Sequence, residues 1–236
     1  MTPFHALIPC AGSGSRAGTV MPKQYQEVAG QPLVMHTLRA LAQVPGLQTA
    51  WVVVSPNDAF VWPEANWPER FQRAACGGHS RAQSVFNGLS AMLAADVPAH
   101  DWVLVHDAAR CLITPDAVTA LIEACRDDPV GGLLALPLPD TLKSQGPLAD
   151  QPARVASTMP REGKWLAQTP QMFRLGALHR ALALAADQDF EGLTDESSAM
   201  ERQGLSPRLV VGSALNLKIT YPADFAFAAL VLRGRA

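Results

Sequence analysis

The chain has 236 residues, of which 48% are hydrophobic and 17% charged, and a formal net charge of −2. That length buries one full core and leaves little room for a second fused enzyme, while the composition is that of a globular protein with no run long enough to span a membrane. The near-neutral balance supplies no global field for nucleic acid, so any anion the protein binds must be held by a local cluster of charge.

In chain order, the first element expected is a strand at Ala6–Pro9. No basic segment precedes its short apolar run, which argues against a signal peptide and for a soluble, cytoplasmic protein. Further apolar runs at Ala50–Val54, Trp102–His106 and Gly132–Pro137 read as strands buried on both faces. Helices are expected between them. Val85, Phe86, Leu89, Met92 and Leu93 share one face over Ser80–Ala94, and Val118, Leu121, Ile122 and Cys125 share one over Pro115–Cys125. Alternation of this kind predicts an α/β fold, a mostly parallel Rossmann-like sheet with helices on both faces and ligands at the carboxyl ends of its strands. A Pro-, Gln- and Ser-rich stretch from Pro139 to Pro160 breaks the alternation and reads as a small protruding β-arm on an otherwise single domain. Helical patterns resume at Leu175–Ala186 and Asp195–Gln203, followed by a strand at Arg208–Val211 and a closing helix after Pro222. Cys10, Cys76, Cys111 and Cys125 are scattered without a C-x-x-C pair, which suits buried thiols in a reducing compartment.

Three segments carry chemistry. Pro9-Cys10-Ala11-Gly12-Ser13-Gly14-Ser15-Arg16-Ala17-Gly18, with Pro22-Lys23-Gln24 behind it, is a glycine-rich turn after a buried strand. Its N–H groups can face phosphate oxygens, and Arg16 and Lys23 add charge. Gly12-x-Gly14 also resembles the start of a dinucleotide fingerprint, but the third glycine falls at Gly18 and no acidic residue ends the next strand. Trp102–Arg110 delivers Asp107 and Arg110 to a strand end, where Asp107 could hold Mg²⁺ together with substrate phosphates or cap the next helix. His106, on the other face, reads as a core histidine. Gly77-Gly78-His79-Ser80-Arg81-Ala82-Gln83-Ser84 opens a helix, where backbone groups and the Ser84 hydroxyl could read a base edge.

With Thr169-Pro170-Gln171-x-Phe173, Leu193-Thr194-Asp195-Glu196 and Asn216-Leu217-Lys218-Ile219-Thr220, these blocks run through nearly the whole chain. In that order they resemble the 2-C-methyl-D-erythritol 4-phosphate cytidylyltransferase family, from which Cys10, Cys111 and His79 are departures. The resemblance implies that Ala11, Gly12, Gly78, His79 and Ser84 hold the nucleotide of CTP. Arg16 and Lys23 would grip its triphosphate, Asp107 would serve Mg²⁺ and the acceptor, and Lys218 would face the reacting phosphates from a strand end. Arg110, Thr194 and Arg161 would bind a polyol phosphate, Arg161 from the neighbouring subunit of a homodimer joined by an arm at about 139–160. Alternatives at this stage are ribitol 5-phosphate as acceptor, another nucleotide, or a non-catalytic nucleotide-binding protein.

Overall fold

A computed structural model describes residues 2–12, 21–60, 62, 67, 69–146 and 152–235. Its strands are β1 (Phe4–Pro9), β2 (Glu27–Val28), β3 (Gln31–Pro32), β4 (Leu47–Val53), β5 (Phe71–Ala74), β6 (Trp102–Val105), β7 (Gly131–Pro137), β8 (Leu142–Gln145), β9 (Val155–Met159), β10 (Trp165–Arg174) and β11 (Arg208–Val211). The helices are α1 (Leu33–Ala42), α2 (Arg81–Ala94), α3 (Pro115–Cys125), α4 (Leu175–Ala186), α5 (Glu196–Glu201) and α6 (Pro222–Arg233).

Seven strands form the main sheet in the order β11-β7-β10-β6-β1-β4-β5. All pair in parallel except β10, which runs antiparallel to both β6 and β7. The two-residue period of a strand sorts its side chains into two cores. Ala6 and Ile8 of β1, Ala50 and Val52 of β4, and Trp102 and Leu104 of β6 join one cluster with residues of α1 and α3. Leu7, Trp51, Val53, Val103 and Val105 join the other, with residues of α2 and α4. Both faces of these strands are therefore covered, which is why they read as continuous apolar runs. Helix α6 closes a third, smaller cluster against Val28, Leu33 and Leu112. No described helix is long and apolar enough to cross a membrane.

Between β7 and β10 the chain leaves the main sheet, and β8 and β9 pair antiparallel as a separate ribbon. Every residue of β9 is exposed, including Val155 and Met159.

Several boundaries differ from expectation. Strand β6 stops at Val105, so His106 begins the loop. Two main-sheet strands, β5 and β10, and helix α1 were not among the expected elements. In β10 the reason is visible: Gln168, Thr169 and Gln171 are buried within it, and polar residues at interior positions erase the apolar pattern. Lys218 does not stand at a strand end. Strand β11 ends at Val211, where the Gly212 amide makes the last bond to the Ala135 carbonyl, and a turn closed by Asn216 N–H on the Ser213 carbonyl carries the chain away. The Ile219 amide then bonds the Ala109 carbonyl at 2.8 Å, and this docks the irregular Lys218 segment beside the end of β6.

Helix α2 lies unusually close to the sheet at Gly88, where a Cβ would fall 2.6 Å from Val53 Cγ2 and 2.7 Å from Leu7 Cδ1. Gly88→Ala should therefore lower stability by about 1–3 kcal/mol through overpacking, against the roughly 1 kcal/mol gain that helix propensity alone predicts. Denaturant midpoints of the two proteins check this, and a raised midpoint would show that α2 can lift off the sheet without cost.

Candidate active site

Strand β1 has β4 on one side and β6 on the other, so the chain order reverses direction across it and the loops after β1 and β6 diverge. Such a switch point leaves a crevice at the carboxyl ends of the strands. The crevice here is a cavity of about 480 Å³, within the range of small-molecule sites, lined by the loops after β1 and β6, the start of α2, Lys23, Gln24 and Lys218.

Its walls are largely backbone, shaped by side chains behind them. Gln24, buried in the 3₁₀ turn Lys23–Tyr25, donates to the carbonyls of Cys10 (2.9 Å) and Gly12 (2.8 Å) and so fixes the strand-end loop. Gly77 packs against that loop where a Cβ would lie 2.2 Å from Ala11 Cβ and 2.8 Å from the Val54 carbonyl oxygen, an approach open only to glycine. The Ser84 hydroxyl accepts from the Gly78 amide at 3.0 Å and donates to the Ser80 carbonyl at 2.9 Å, while Gln83 accepts from the His79 amide at 2.8 Å. Ser84 thus shapes the Gly77–Ser80 turn from within the helix. The His79 ring turns outward to Asp189, 2.6 Å away.

Charge converges on Asp107. Arg81 Nε donates to one carboxylate oxygen at 2.7 Å, Lys218 Nζ reaches the other at 2.8 Å, and Arg110 Nε stands 3.9 Å from the latter. The Asp107 amide donates to Thr169 Oγ1 of β10 at 3.0 Å, which fixes the strand end from below. Burial would push the Asp107 pKa up, but Arg81 and Lys218 outweigh it and hold the carboxyl well below the usual carboxylate range. Lys23 Nζ donates to the Ile219 carbonyl at 2.7 Å, which draws the glycine-loop lysine toward the Lys218 segment.

Eight of the residues singled out in the sequence meet at this cavity: Ala11, Gly12, Lys23, Gly78, His79, Ser84, Asp107 and Lys218. Arg16 lies outside the described residues. Arg110 stands behind the wall, donating to the carbonyls of Asn216 (2.7 Å) and Ala167 (3.4 Å), a tie between β10 and the Lys218 segment. Thr194 lines a smaller adjoining hollow that shares Ser80 and Arg81 with the main cavity. Arg161, on the exposed chain beyond β9, donates to the Pro139 carbonyl and does not line the cavity of its own subunit. Sequence reasoning assigned no role to Arg81, Gln24 or Glu196. All three sat inside the quoted motifs, and the signal available was that each is a polar residue beside a glycine turn or a helix start. Among the described residues no group of three or more His, Cys, Asp or Glu side chains could hold a metal ion.

A strand-end cavity combining a backbone-walled loop with two lysines and a buried carboxylate, on this sheet, defines a nucleotidyltransferase-type α/β protein. Comparison with known proteins narrows the class. A profile of 2-C-methyl-D-erythritol 4-phosphate cytidylyltransferase matches residues 4–234. The chain is 49% identical over 240 residues to the protein of that name from Dechloromonas aromatica, covering 100% of both. It is 58% identical over 231 residues to a bifunctional enzyme IspD/IspF from Albidiferax ferrireducens, spanning 98% of this chain but only 53% of that relative. Among solved structures, a 4-diphosphocytidyl-2C-methyl-D-erythritol synthase superimposes with a TM-score of 0.83 at 36% identity over 98% of this chain and 99% of that one. A Francisella tularensis 2-C-methyl-D-erythritol 4-phosphate cytidylyltransferase gives 0.80 at 30% identity over 97% and 99%. The chain belongs to the 2-C-methyl-D-erythritol 4-phosphate cytidylyltransferase family.

Behind the site, His106 is fully buried, its ring within 3.1 Å of Thr169 Oγ1 and 3.3 Å of the Arg110 carbonyl. Burial lowers its pKa from the ordinary 6.5 to about 4, with the charge of Asp107 opposing the shift and Arg110 adding to it. The ring is therefore neutral and structural. Between those two values the unfolded chain binds a proton here that the folded chain does not, so stability falls as pH falls through the window. Urea unfolding should show this site contributing a loss of about 1.4 kcal/mol per pH unit between roughly pH 6.5 and 4. His36 and His179, whose pKa values burial also lowers, add to the same slope. His106→Gln should flatten the slope without removing their share. An identical slope in the variant would mean that His106 already protonates in the folded state.

Proposed function

We propose that the strand-end cavity carries out the reaction of the chain's family: cytidylyl transfer from CTP to the phosphate of 2-C-methyl-D-erythritol 4-phosphate, with release of pyrophosphate. The product is 4-diphosphocytidyl-2-C-methyl-D-erythritol, a step toward isoprenoid precursors in a cytoplasmic setting. The observation that carries the assignment is the meeting of Lys23, Lys218 and Asp107 at one backbone-walled cavity.

Both reactants are anions, and their repulsion is the first barrier. Positioning and charge neutralisation supply most of the catalysis in such transfers. The nucleotide lies along Ala11, Gly12, Gly78, His79 and Ser84, where N–H groups and the narrow Gly77 approach accept a flat base and a phosphate edge. Lys23 and Arg16 take the β- and γ-phosphates and stabilise the leaving pyrophosphate. Lys218 neutralises charge developing at the α-phosphorus as the acceptor phosphate attacks in line. No general base is assigned, because that oxygen is already ionised near neutral pH.

Among the described residues Asp107 is the one carboxylate lining the cavity, and beside its bonds to Arg81 and Lys218 a remaining lone pair suits Mg²⁺, a hard cation that takes one or two carboxylates and completes its shell with phosphate oxygens and water. Asp107 would hold it, and the ion would supply electrostatic stabilisation to the phosphate oxygens. Asp107 itself holds Lys218 in place by direct contact and Arg81 at the start of α2.

The acceptor phosphate needs further cations and hydrogen-bond donors. Thr194 and Arg110 approach from the adjoining hollow and from behind the wall, and Arg161 completes the site from the partner subunit of a homodimer. The exposed β8–β9 ribbon, with Val155 and Met159 open to solvent, is the arm that joins the two copies.

Lys23→Ala and Lys218→Ala should each lower kcat by about a hundred- to a thousandfold, the usual loss for one transition-state donor, with the protein still folded. Pyrophosphate release with Mg²⁺, CTP and 2-C-methyl-D-erythritol 4-phosphate measures it. Wild-type turnover in either variant removes that lysine from the mechanism, and no release from the folded wild-type protein overturns the assignment itself. The shared site has its own test. Lys23→Ala and Arg161→Ala subunits, each nearly inactive alone, should recover about a quarter of wild-type activity when mixed equally and allowed to exchange. Half of the dimers are then mixed, each with one intact site. No recovery, with exchange demonstrated, would place Arg161 and Lys23 in the same subunit's site.

A further inference from the structure

Glu196, the first residue of α5, is 2% exposed and does not line the main cavity. Its two carboxylate oxygens accept from the two terminal nitrogens of one guanidinium, Arg81 Nη1 at 2.7 Å and Nη2 at 3.1 Å. The remaining nitrogen of that guanidinium, Nε, donates to Asp107 Oδ1 at 2.7 Å. Lys218 holds Asp107 Oδ2 at 2.8 Å. The four groups form a row of alternating sign, Glu196, Arg81, Asp107, Lys218, from buried interior to cavity.

The row has a geometric consequence. A guanidinium is a planar fork that prefers to grip a carboxylate with two parallel N–H bonds. Two carboxylates compete for Arg81: Glu196 takes one N–H from each terminal nitrogen, and the tilt this imposes leaves Nε as the guanidinium nitrogen that bonds Asp107. With the Glu196 charge absent, the buried Arg81 cation would have Asp107 as its one anion within direct contact. It would turn its Nε and Nη edge onto both Asp107 oxygens, including the one that Lys218 uses.

We propose that Glu196 is a positioning residue for the reaction: by fixing the tilt of the Arg81 guanidinium it holds Arg81 to one oxygen of Asp107 and leaves the other to Lys218. The structural half of this statement stands on the geometry of these side chains, and its catalytic half rests on the assignment of Asp107 and Lys218 to the reaction centre. The arrangement also couples three elements of the site. Arg81 opens α2, whose preceding turn walls the cavity, and Glu196 follows Thr194 in the adjoining hollow.

The experiment is competitive acetylation of the whole protein with acetic anhydride at fixed pH, reading the Lys218 peptide against the exposed Lys164 by mass spectrometry. Steady-state kinetics are run on the same samples. Glu196→Gln, near in shape to the original, should raise relative Lys218 labelling several-fold as the amine leaves Asp107. It should lower kcat about ten- to a hundredfold, the scale of an ångström-level misplacement, while the KM for CTP moves less than about threefold. Glu196→Asp, which keeps the charge, should restore part of both. Glu196→Gln combined with Arg81→Met removes the competitor with the charge and should return Lys218 labelling to the wild-type level. That double variant also avoids leaving a buried cation unpaired, so it decides the matter if the single variant does not fold. Wild-type labelling in folded Glu196→Gln, or raised labelling in the double variant, overturns the proposal. Labelling that follows the pattern in a protein lacking cytidylyl transfer would instead count against the assigned reaction and leave the positioning role standing.

Discussion

A buried carboxylate is costly unless its charge is met, and Asp107 is met from three directions at once. Arg81 comes from the start of α2, Lys218 from the segment before α6, and Arg110 from the loop that follows β6. None of these elements is adjacent to another in the chain, yet each must arrive within hydrogen-bond or ion-pair distance for the fold to tolerate the charge. Electrostatics and folding are therefore one constraint here. The condition that makes Asp107 acceptable in the interior also fixes the wall of the cavity, because the turn before α2 and the Lys218 segment are carried along with their cations. Beneath it, Thr169 and Asn216 tie β10 to the same point through the Asp107 amide and the Thr169 carbonyl.

The parallel strands β1, β4, β6 and β7 were legible because they are largely buried and so read as unbroken apolar runs. Helices α2 and α3 were legible through their periodicity, and the structure adds their caps, Ser80 and Thr114, whose hydroxyls accept from the Gln83 and Ala117 amides. Strand β10 was not, although it is the longest strand described, since its interior positions carry Gln168, Thr169 and Gln171. Those polar residues are there because the strand passes under the site. Asn216 donates to Gln168 and to the Thr169 carbonyl, and Gln171 bonds Asp195 and the Ser197 amide at the start of α5. The element hardest to read from pattern is thus the one whose pattern the site has rewritten.

The candidate site was legible to the same extent and for a related reason. Groups that face the cavity sit beside glycine turns and strand ends, where local chemistry advertises them, as at Gly12, Gly78, Asp107 and Lys23, while Ala11 came with the resemblance. Groups that act by holding others do not advertise themselves. Gln24 is one residue from a lysine that drew attention, and Arg81 and Glu196 lie far apart in the chain, so nothing local says that they form a pair. Lys218 does line the cavity, but its setting differs from the expected strand end: a docking bond from Ile219 to Ala109, and not a strand, delivers it.

Arg161 follows from the same reasoning at a larger scale. A chain with net charge −2 that binds two polyanions must concentrate cations locally, and one subunit's cavity gathers only Lys23 and Lys218 of the described residues beside the Arg81 already matched by carboxylates. Bringing more cations through the core would demand more buried carboxylates to balance them, each with its own desolvation cost. In the proposed dimer an arginine supplied from beside the exposed ribbon would avoid that cost, since Arg161 is exposed on its own subunit. The proposed site, completed across two chains, would thus be a physically economical way for this fold to hold more negative charge than its own interior can balance.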